Sequence, residues 1–193
     1  MTGLAVFCGS SSGNDPVYRN QATLLGQILA KRGIRIIYGG GRVGLMGILA
    51  NAALEAGGEV TGVIPGFLQI KEVAHQGLTE MITVESMHER KALIERRSDG
   101  AIALPGGYGT MDEMFEMLTW GQLGLHQKPV GLLNVNGFFD PLLQMLDNMV
   151  TEGFLRPDYR TQITTSEDIG SLLDKMSEYR PPTVEKWIGL DQY

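Results

Sequence analysis

The sequence predicts an α/β fold, a doubly wound and mostly parallel sheet with helices on both faces. Three observations predict it. Short apolar runs without polar alternation recur along the chain, the pattern of strands buried on both faces. These runs alternate with helical stretches, as βα units do. Three glycine- or serine-rich loops, spanning 9–13, 39–44 and 106–109, fall where apolar runs end, and such sheets bind ligands outside the carboxyl ends of their strands.

Each element follows in order. Leu4 to Phe7 reads as a first strand, followed by the polar loop "GSSSGND". Asp15 and Pro16 form an N-cap and first helical residue for a helix reaching Arg32. "IRIIY" is a second strand, and "GGGRVG" leads into the helix "LMGILANAALEA". "EVTGVI", closed by Pro65, is a third strand, and "MITVE" a fourth. In "SMHERKALIERRS", Ser86 and Glu89 fit a capping box at a helix start. "AIAL" is a fifth strand, followed by a glycine loop and the helix "MDEMFEMLTWGQL". "VGLLN" is a sixth, before a helix from about Asp140 to Thr151. "QITT" makes a last short strand, with Ser166 capping a final helix to about Tyr179. With no internal repeat or linker, residues 1–180 read as one domain and 181–193 as an extended tail.

Composition excludes several classes of function. A net charge of −6 leaves no electrostatic footprint for nucleic acid or an anionic membrane, so an anionic ligand must be drawn by a local site. The single cysteine, Cys8, permits neither an intramolecular disulfide nor a cysteine-based metal site. No apolar run approaches the roughly 18 residues of a membrane span, and the start lacks a signal peptide's basic region. A cytoplasmic setting is expected. The three histidines, at 75, 88 and 126, show no metal-ligand spacing, and Ser10, Ser11 and Ser12 lack a nucleophile elbow's frame.

Three stretches carry candidate chemistry. Gly39, Gly41 and Gly44 match G-x-G-x-x-G, the dinucleotide fingerprint. The motif follows the second strand rather than the first. The acid some twenty residues on, Glu59, opens the next strand instead of ending it. The neighbourhood of a mononucleotide is the preferred reading, with close helix–strand packing and a dinucleotide site as alternatives. In "SMHERK", Arg90 and Lys91 share a helical face with Met87 and Ile94. The macrodipole disfavours cations in a first turn. The pair therefore either snorkels to solvent or, for Arg90, points inward to hold a phosphate or base. In "PGGYGTMDE", Thr110 and Glu113 have capping-box spacing, but that box leaves Gly106, Gly107 and Gly109 unexplained. Bare backbone at a helix N-terminus is an anion site, and without a P-loop lysine it suits one monophosphate.

With "MHERK" upstream of "PGGYGTMDE", the chain resembles the Lonely Guy (LOG) family of cytokinin riboside 5′-monophosphate phosphoribohydrolases. The likeness extends through "FCGSSSG", "YGGGRVGLMG", "SDGAIALPGGYGT" and "TWGQLGLHQKPVGLLN". Many such proteins have carried a lysine decarboxylase label. The resemblance implies a Rossmann-like fold, a homodimer with its site near the subunit interface, and no metal or cofactor. It implies that Arg90 and Glu113 are the catalytic pair. It also implies substrate contacts from Glu72, Arg90, Lys91, Gly106, Gly107, Tyr108, Gly109, Thr110, Met111, Asp112 and Thr119. Gly9, Ser10, Gly40 and Gly41, in the two earlier loops, are further candidates for phosphate or ribose contact. The "KEVAH" stretch around Glu72 departs from the R-E-x-x-G form of plant members.

The expected reaction is hydrolysis of the N-glycosidic bond of AMP or N6-prenyl-AMP. Glu113 would steady an oxocarbenium-like sugar, and Arg90 would attend the departing base. A nucleotide sensor that binds without hydrolysis is the chief alternative. A dinucleotide oxidoreductase and a phosphotransferase are the others.

Overall fold

The structure, a computed structural model, describes residues 1–69 and 74–182. Among them seven parallel strands form one sheet in the order β4-β3-β2-β1-β5-β6-β7. The strands are β1 (Gly3–Phe7), β2 (Arg35–Tyr38), β3 (Val60–Pro65), β4 (Glu80–Val84), β5 (Ala101–Ala103), β6 (Val130–Leu133) and β7 (Ile163–Ser166). The helices are α1 (Pro16–Lys31), α2 (Gly44–Glu55), α3 (Gly66–Gln69), α4 (Met87–Arg97), α5 (Tyr108–Gln122), α6 (Asp140–Thr151), α7 (Pro157–Arg160) and α8 (Ile169–Ser177). The expected α/β class holds. The short α3, α7 and a 3₁₀ turn at Val135–Gly137 were not expected, because single turns carry no hydrophobic period.

Every residue of β1 and β3 is buried, β3 including Thr61, whose hydroxyl donates to Glu80 Oε2 at 3.2 Å, whereas edge strand β4 is largely half-exposed. Alternate residues of β1 feed two cores. Leu4 and Val6 pack with Leu25 and Leu29 of α1, Leu49 of α2 and Leu172 of α8. Ala5 and Phe7 face Ile94 of α4, Met114 and Met117 of α5 and Leu146 of α6. The chain steps outward from β1 to β4, then returns to add β5 on the other side of β1. The loops leaving β1 and β5 therefore diverge at a topological switch point, where an open sheet forms its ligand crevice.

Two helix starts behave as the sequence predicts. The Asp15 carboxylate accepts from Val17 N at 2.9 Å with Pro16 in the first helical position, and Ser86 Oγ accepts from Glu89 N at 3.1 Å. Glu89 reaches back to Glu85 N, at 2.8 Å, one residue beyond the expected partner.

Two other starts differ. Ser166 does not cap α8: pairing with β6 extends β7 through Ser166, whose hydroxyl accepts from Asp168 N. Asp168 is the cap, accepting from Ser171 N at 2.8 Å, and the helix ends at Ser177. Nor does Thr110 cap α5. That helix begins at Tyr108 with Gly107 as N-cap and no side-chain cap, so Thr110 is buried in its first turn. Glycine lets the chain enter the helix early, and the Thr110 hydroxyl fills the space beside Gly106, where an added Cβ would lie 2.1 Å from Oγ1.

Gly44 joins the second loop to the first. Its φ is +60°, and an added Cβ would sit 2.2 Å from the Ser10 carbonyl carbon, while Leu45 N donates to Gly9 O at 3.0 Å. Left-handed backbone costs a residue with a Cβ about 1–2 kcal/mol, and overpacking adds about 1–3. Gly44→Ala is therefore expected to lower Tm by roughly 5–15 °C for a domain of this size. A thermal melt within about 2 °C of the parent would show that the loop contact relaxes freely.

Candidate active site

The crevice at the switch point holds a cleft of about 240 Å³. From the first loop come Cys8, Gly9 and Ser10; from α4, Met87 and Arg90. The last loop and the start of α5 give Gly107, Tyr108, Gly109, Thr110, Asp112 and Glu113. A neighbouring chamber of about 290 Å³ shares Gly9, Ser10 and Gly107 and includes Gly106. Gly9 N donates to Pro105 O at 3.2 Å, which ties the two loops together across the switch point.

The α5 N-terminus supplies the anion-binding part. With no side chain on the cap, the first N–H groups of the helix keep their hydrogen-bonding capacity, and the first intrahelical bond runs from Met111 N to Gly107 O at 3.1 Å. Tyr108 sits at this corner with its side chain in solvent, 98% exposed.

Arg90 supplies the cationic part. Its side chain is buried despite sitting in the first turn of α4, so the inward orientation holds and snorkelling does not. The guanidinium lies directly over Gly39 at the end of β2, where an added Cβ would fall 1.9 Å from Nη2. Nη2 is 3.4 Å from Glu113 Oε1, and both side chains are largely shielded from water. Nε is buried and finds no hydrogen-bond partner among the described residues. A buried N–H without an acceptor is costly, which makes this donor available to a ligand.

Glu113 thus stands beside a guanidinium and a little over one turn inside an uncapped helix N-terminus. Burial, with the nearby Glu113 charge, pushes the Cys8 thiol well above its ordinary range, so Cys8 lines the cleft as a neutral, unreactive wall. Burial likewise pushes up Tyr38, whose hydroxyl donates to Gly41 O at 3.0 Å and pins the second loop.

A family model described as "Possible lysine decarboxylase" matches residues 46–176. The chain is 51% identical over 176 residues to the probable cytokinin riboside 5′-monophosphate phosphoribohydrolase LOGL1 of Oryza sativa subsp. japonica, covering 91% of this chain and 79% of that protein. The chain belongs to the LOG family. It is also 48% identical over 178 residues to the cytokinin riboside 5′-monophosphate phosphoribohydrolase LOG2 of Arabidopsis thaliana, covering 92% and 84% of the two. Two solved structures share its fold. The TM1055 structural-genomics target has a TM-score of 0.70 and 22% identity, covering 93% of this chain and all of that one. The molybdenum cofactor carrier protein of Chlamydomonas reinhardtii has a TM-score of 0.67 and 19% identity, covering 91% and 95%.

Other expected site residues of this LOG chain lie elsewhere. Lys91 pairs with α5 and lines a small pocket with Glu113, Glu116 and Trp120 rather than the main cleft. Thr119 lies two turns further along α5 than Asp112, donates to Phe115 O at 2.7 Å and borders a groove against α6. Met111 packs against the second core. Gly40 O accepts from His75 N at 2.9 Å, and Gly41 bridges Ala74. Glu72 lies outside the described residues.

The fingerprint glycines have packing duties: Gly39 seats Arg90, Gly44 abuts Ser10, and a Cβ on Gly41 would meet Met46 at 2.9 Å. Glu59 pairs with Arg35 at the amino ends of β3 and β2, away from the cleft. The LOG cleft also has an apolar wall from Met46, Leu68 and Met87 that sequence reasoning missed as a unit. Met87 alone was legible, through its shared helical face with Arg90.

Proposed function

We propose that this chain hydrolyses the N-glycosidic bond of adenosine 5′-monophosphates, including N6-modified ones, to free base and ribose 5-phosphate. The observation that carries this reading is the Arg90–Glu113 pair set beside the uncapped N-terminus of α5. Relatives about half identical over most of the chain are phosphoribohydrolases by name, which supports it.

The 5′-phosphate would take N–H bonds from Gly107 to Thr110, with Gly9 and Ser10 across the crevice. Anchoring this remote group holds C1′ against the carboxylate, so binding energy is converted to positioning. As the bond from C1′ to the base nitrogen breaks, its electron pair leaves with the base. The sugar becomes cationic, and Glu113 stabilises it and orients a water. The water oxygen bonds to C1′, and its proton balances the one that the base nitrogen gains. The Arg90 guanidinium would donate to the departing base, offsetting the negative charge that develops there.

A decarboxylase reading fits less well. Burial would lower the Lys91 pKa, but hydrogen bonds and charge from Glu116 and Asp112 more than offset it and leave the pKa raised, whereas a Schiff-base lysine needs a depressed pKa.

A homodimer belongs to the same reading. Tyr108, almost wholly exposed beside the cleft, is a side chain of the type interfaces cover.

The test is incubation of purified protein with AMP and with isopentenyladenosine 5′-monophosphate, followed by chromatography. Free base and ribose 5-phosphate are expected, from protein whose mass by light scattering is twice 21.1 kDa. Intact nucleotides despite measurable binding would favour the sensor instead. A monomeric mass would remove the dimer.

A further inference from the structure

We propose that Lys91 is a positioning residue, which clamps α4 to α5 and thereby sets the register of Arg90 against Glu113, rather than a group that contacts the nucleotide. The assignment rests on the hydrolase reading above.

The clamp is visible in the pairings between the two helices. Lys91 Nζ lies 3.1 Å from Asp112 Oδ2 and 2.6 Å from Glu116 Oε2. Those two acceptors are one turn apart on α5 and flank Glu113 in sequence, while Lys91 follows Arg90 on α4. Consecutive residues of one helix thus engage interleaved residues of the other.

Of an ammonium's three N–H donors, one hydrogen-bonds Asp112 Oδ2, and the charge as a whole is paired with Glu116 Oε2. Lys91 and Glu116 are both mostly buried, with side chains 16% and 18% exposed. The Lys91–Glu116 contact is therefore less screened than a surface pair. Glu116 and Lys91 both lie outside the lining of the main cleft, which Asp112 borders.

The distances order the roles. Arg90 Nη2 to Glu113 Oε1, at 3.4 Å, is the longest of the three pairings. A catalytic pair that must turn to sugar and base during the reaction cannot also be the tight tie between its helices. The shorter Lys91 contacts do that. Because the partners hold the Lys91 pKa above its ordinary value, the clamp stays charged through the neutral range.

The experiment compares Lys91→Met, Glu116→Gln, their double variant and Lys91→Arg. It uses steady-state kinetics with AMP, and AMP affinity by calorimetry. Lys91→Met should lower kcat about 10- to 100-fold, while KM and Kd change less than about threefold, since about 1 Å of misplacement is worth on the order of 10²-fold. Glu116→Gln should show the same split, although it leaves the lysine in place. The double variant should be no worse than the more damaged single one, the signature of one shared interaction. Lys91→Arg should restore most of the lost kcat. If Lys91→Met does not fold, Glu116→Gln and Lys91→Arg carry the comparison. A rise of about tenfold or more in KM and Kd with kcat retained would overturn the assignment and make the ammonium a nucleotide contact. Wild-type protein that releases no base overturns the hydrolase reading and this assignment together.

Discussion

Glu113→Gln is expected to leave the chain folded, to keep its affinity for AMP within a few-fold, and to lower kcat by about 10³-fold. The size follows from what the carboxylate is asked to do. Stabilising developing charge and serving as a general base each contribute about 10²–10⁴-fold in enzymes, and a carboxamide retains little of either. A 10³-fold loss corresponds to roughly 4 kcal/mol of transition-state stabilisation.

Affinity should survive because the proposed phosphate site is made of backbone N–H groups at the start of α5, to which the residue 113 side chain does not belong. The fold should survive because glutamine keeps an oxygen where Arg90 Nη2 now meets Oε1 at 3.4 Å. The remaining penalty, about 1 kcal/mol for a weaker hydrogen bond, shifts Tm by roughly 2–4 °C. Product release measured by chromatography, beside a melt and a binding isotherm, separates the three quantities. A variant with parental kcat would take Glu113 out of the chemistry. One with low kcat and lost AMP affinity would make it a binding group.

Much of this was legible in the sequence because the signals are local. β1 and β3 carry short runs without polar alternation, as strands in a two-sided core do, and both are buried throughout. Pro16 behind Asp15 sets one helix start within a residue. Arg90, on a face with Ile94, was left between solvent and an inward position, and its burial decides for the second.

The misread features are those decided by contacts distant in sequence. Thr110 has the spacing of a cap, but the space beside Gly106 draws it into the helix as a buried residue. Ser166 was drawn into a strand by its register with β6, which no feature near Ser166 discloses. The ion pairs of Lys91 were not legible either. Its carboxylate partners lie 21 and 25 positions on, and only the packing of α4 against α5 brings them together. The glycine fingerprint was read as a mononucleotide's neighbourhood, with close packing and a dinucleotide site as alternatives, and its first glycine is small because Arg90 from another helix rests on it.

Gly39→Ala tests that last point directly. The substitution changes no polar group and touches no residue proposed to bind the phosphate. Its methyl carbon would nevertheless lie 1.9 Å from Arg90 Nη2 and 3.0 Å from Cζ. Contact near 3.5 Å requires the guanidinium to withdraw by about 1.5 Å. Nη2 is the far end of a flexible side chain, so the arginine can yield without moving β2. The cost to the fold should stay near the 1–3 kcal/mol of ordinary overpacking.

Catalysis has less tolerance. A displacement of this size would separate the guanidinium from Glu113 and, in the proposed reaction, from the departing base, and about 1 Å of misplacement is worth on the order of 10²-fold in rate. The expected result is therefore kcat reduced about 10²-fold with Kd for AMP nearly unchanged, from a single methyl group at a site with no chemistry of its own. Parental kcat would mean that Arg90 finds an equally productive pose elsewhere, and that Gly39 does not set its position. Lost affinity at parental kcat would mean instead that the second loop is itself part of the nucleotide site.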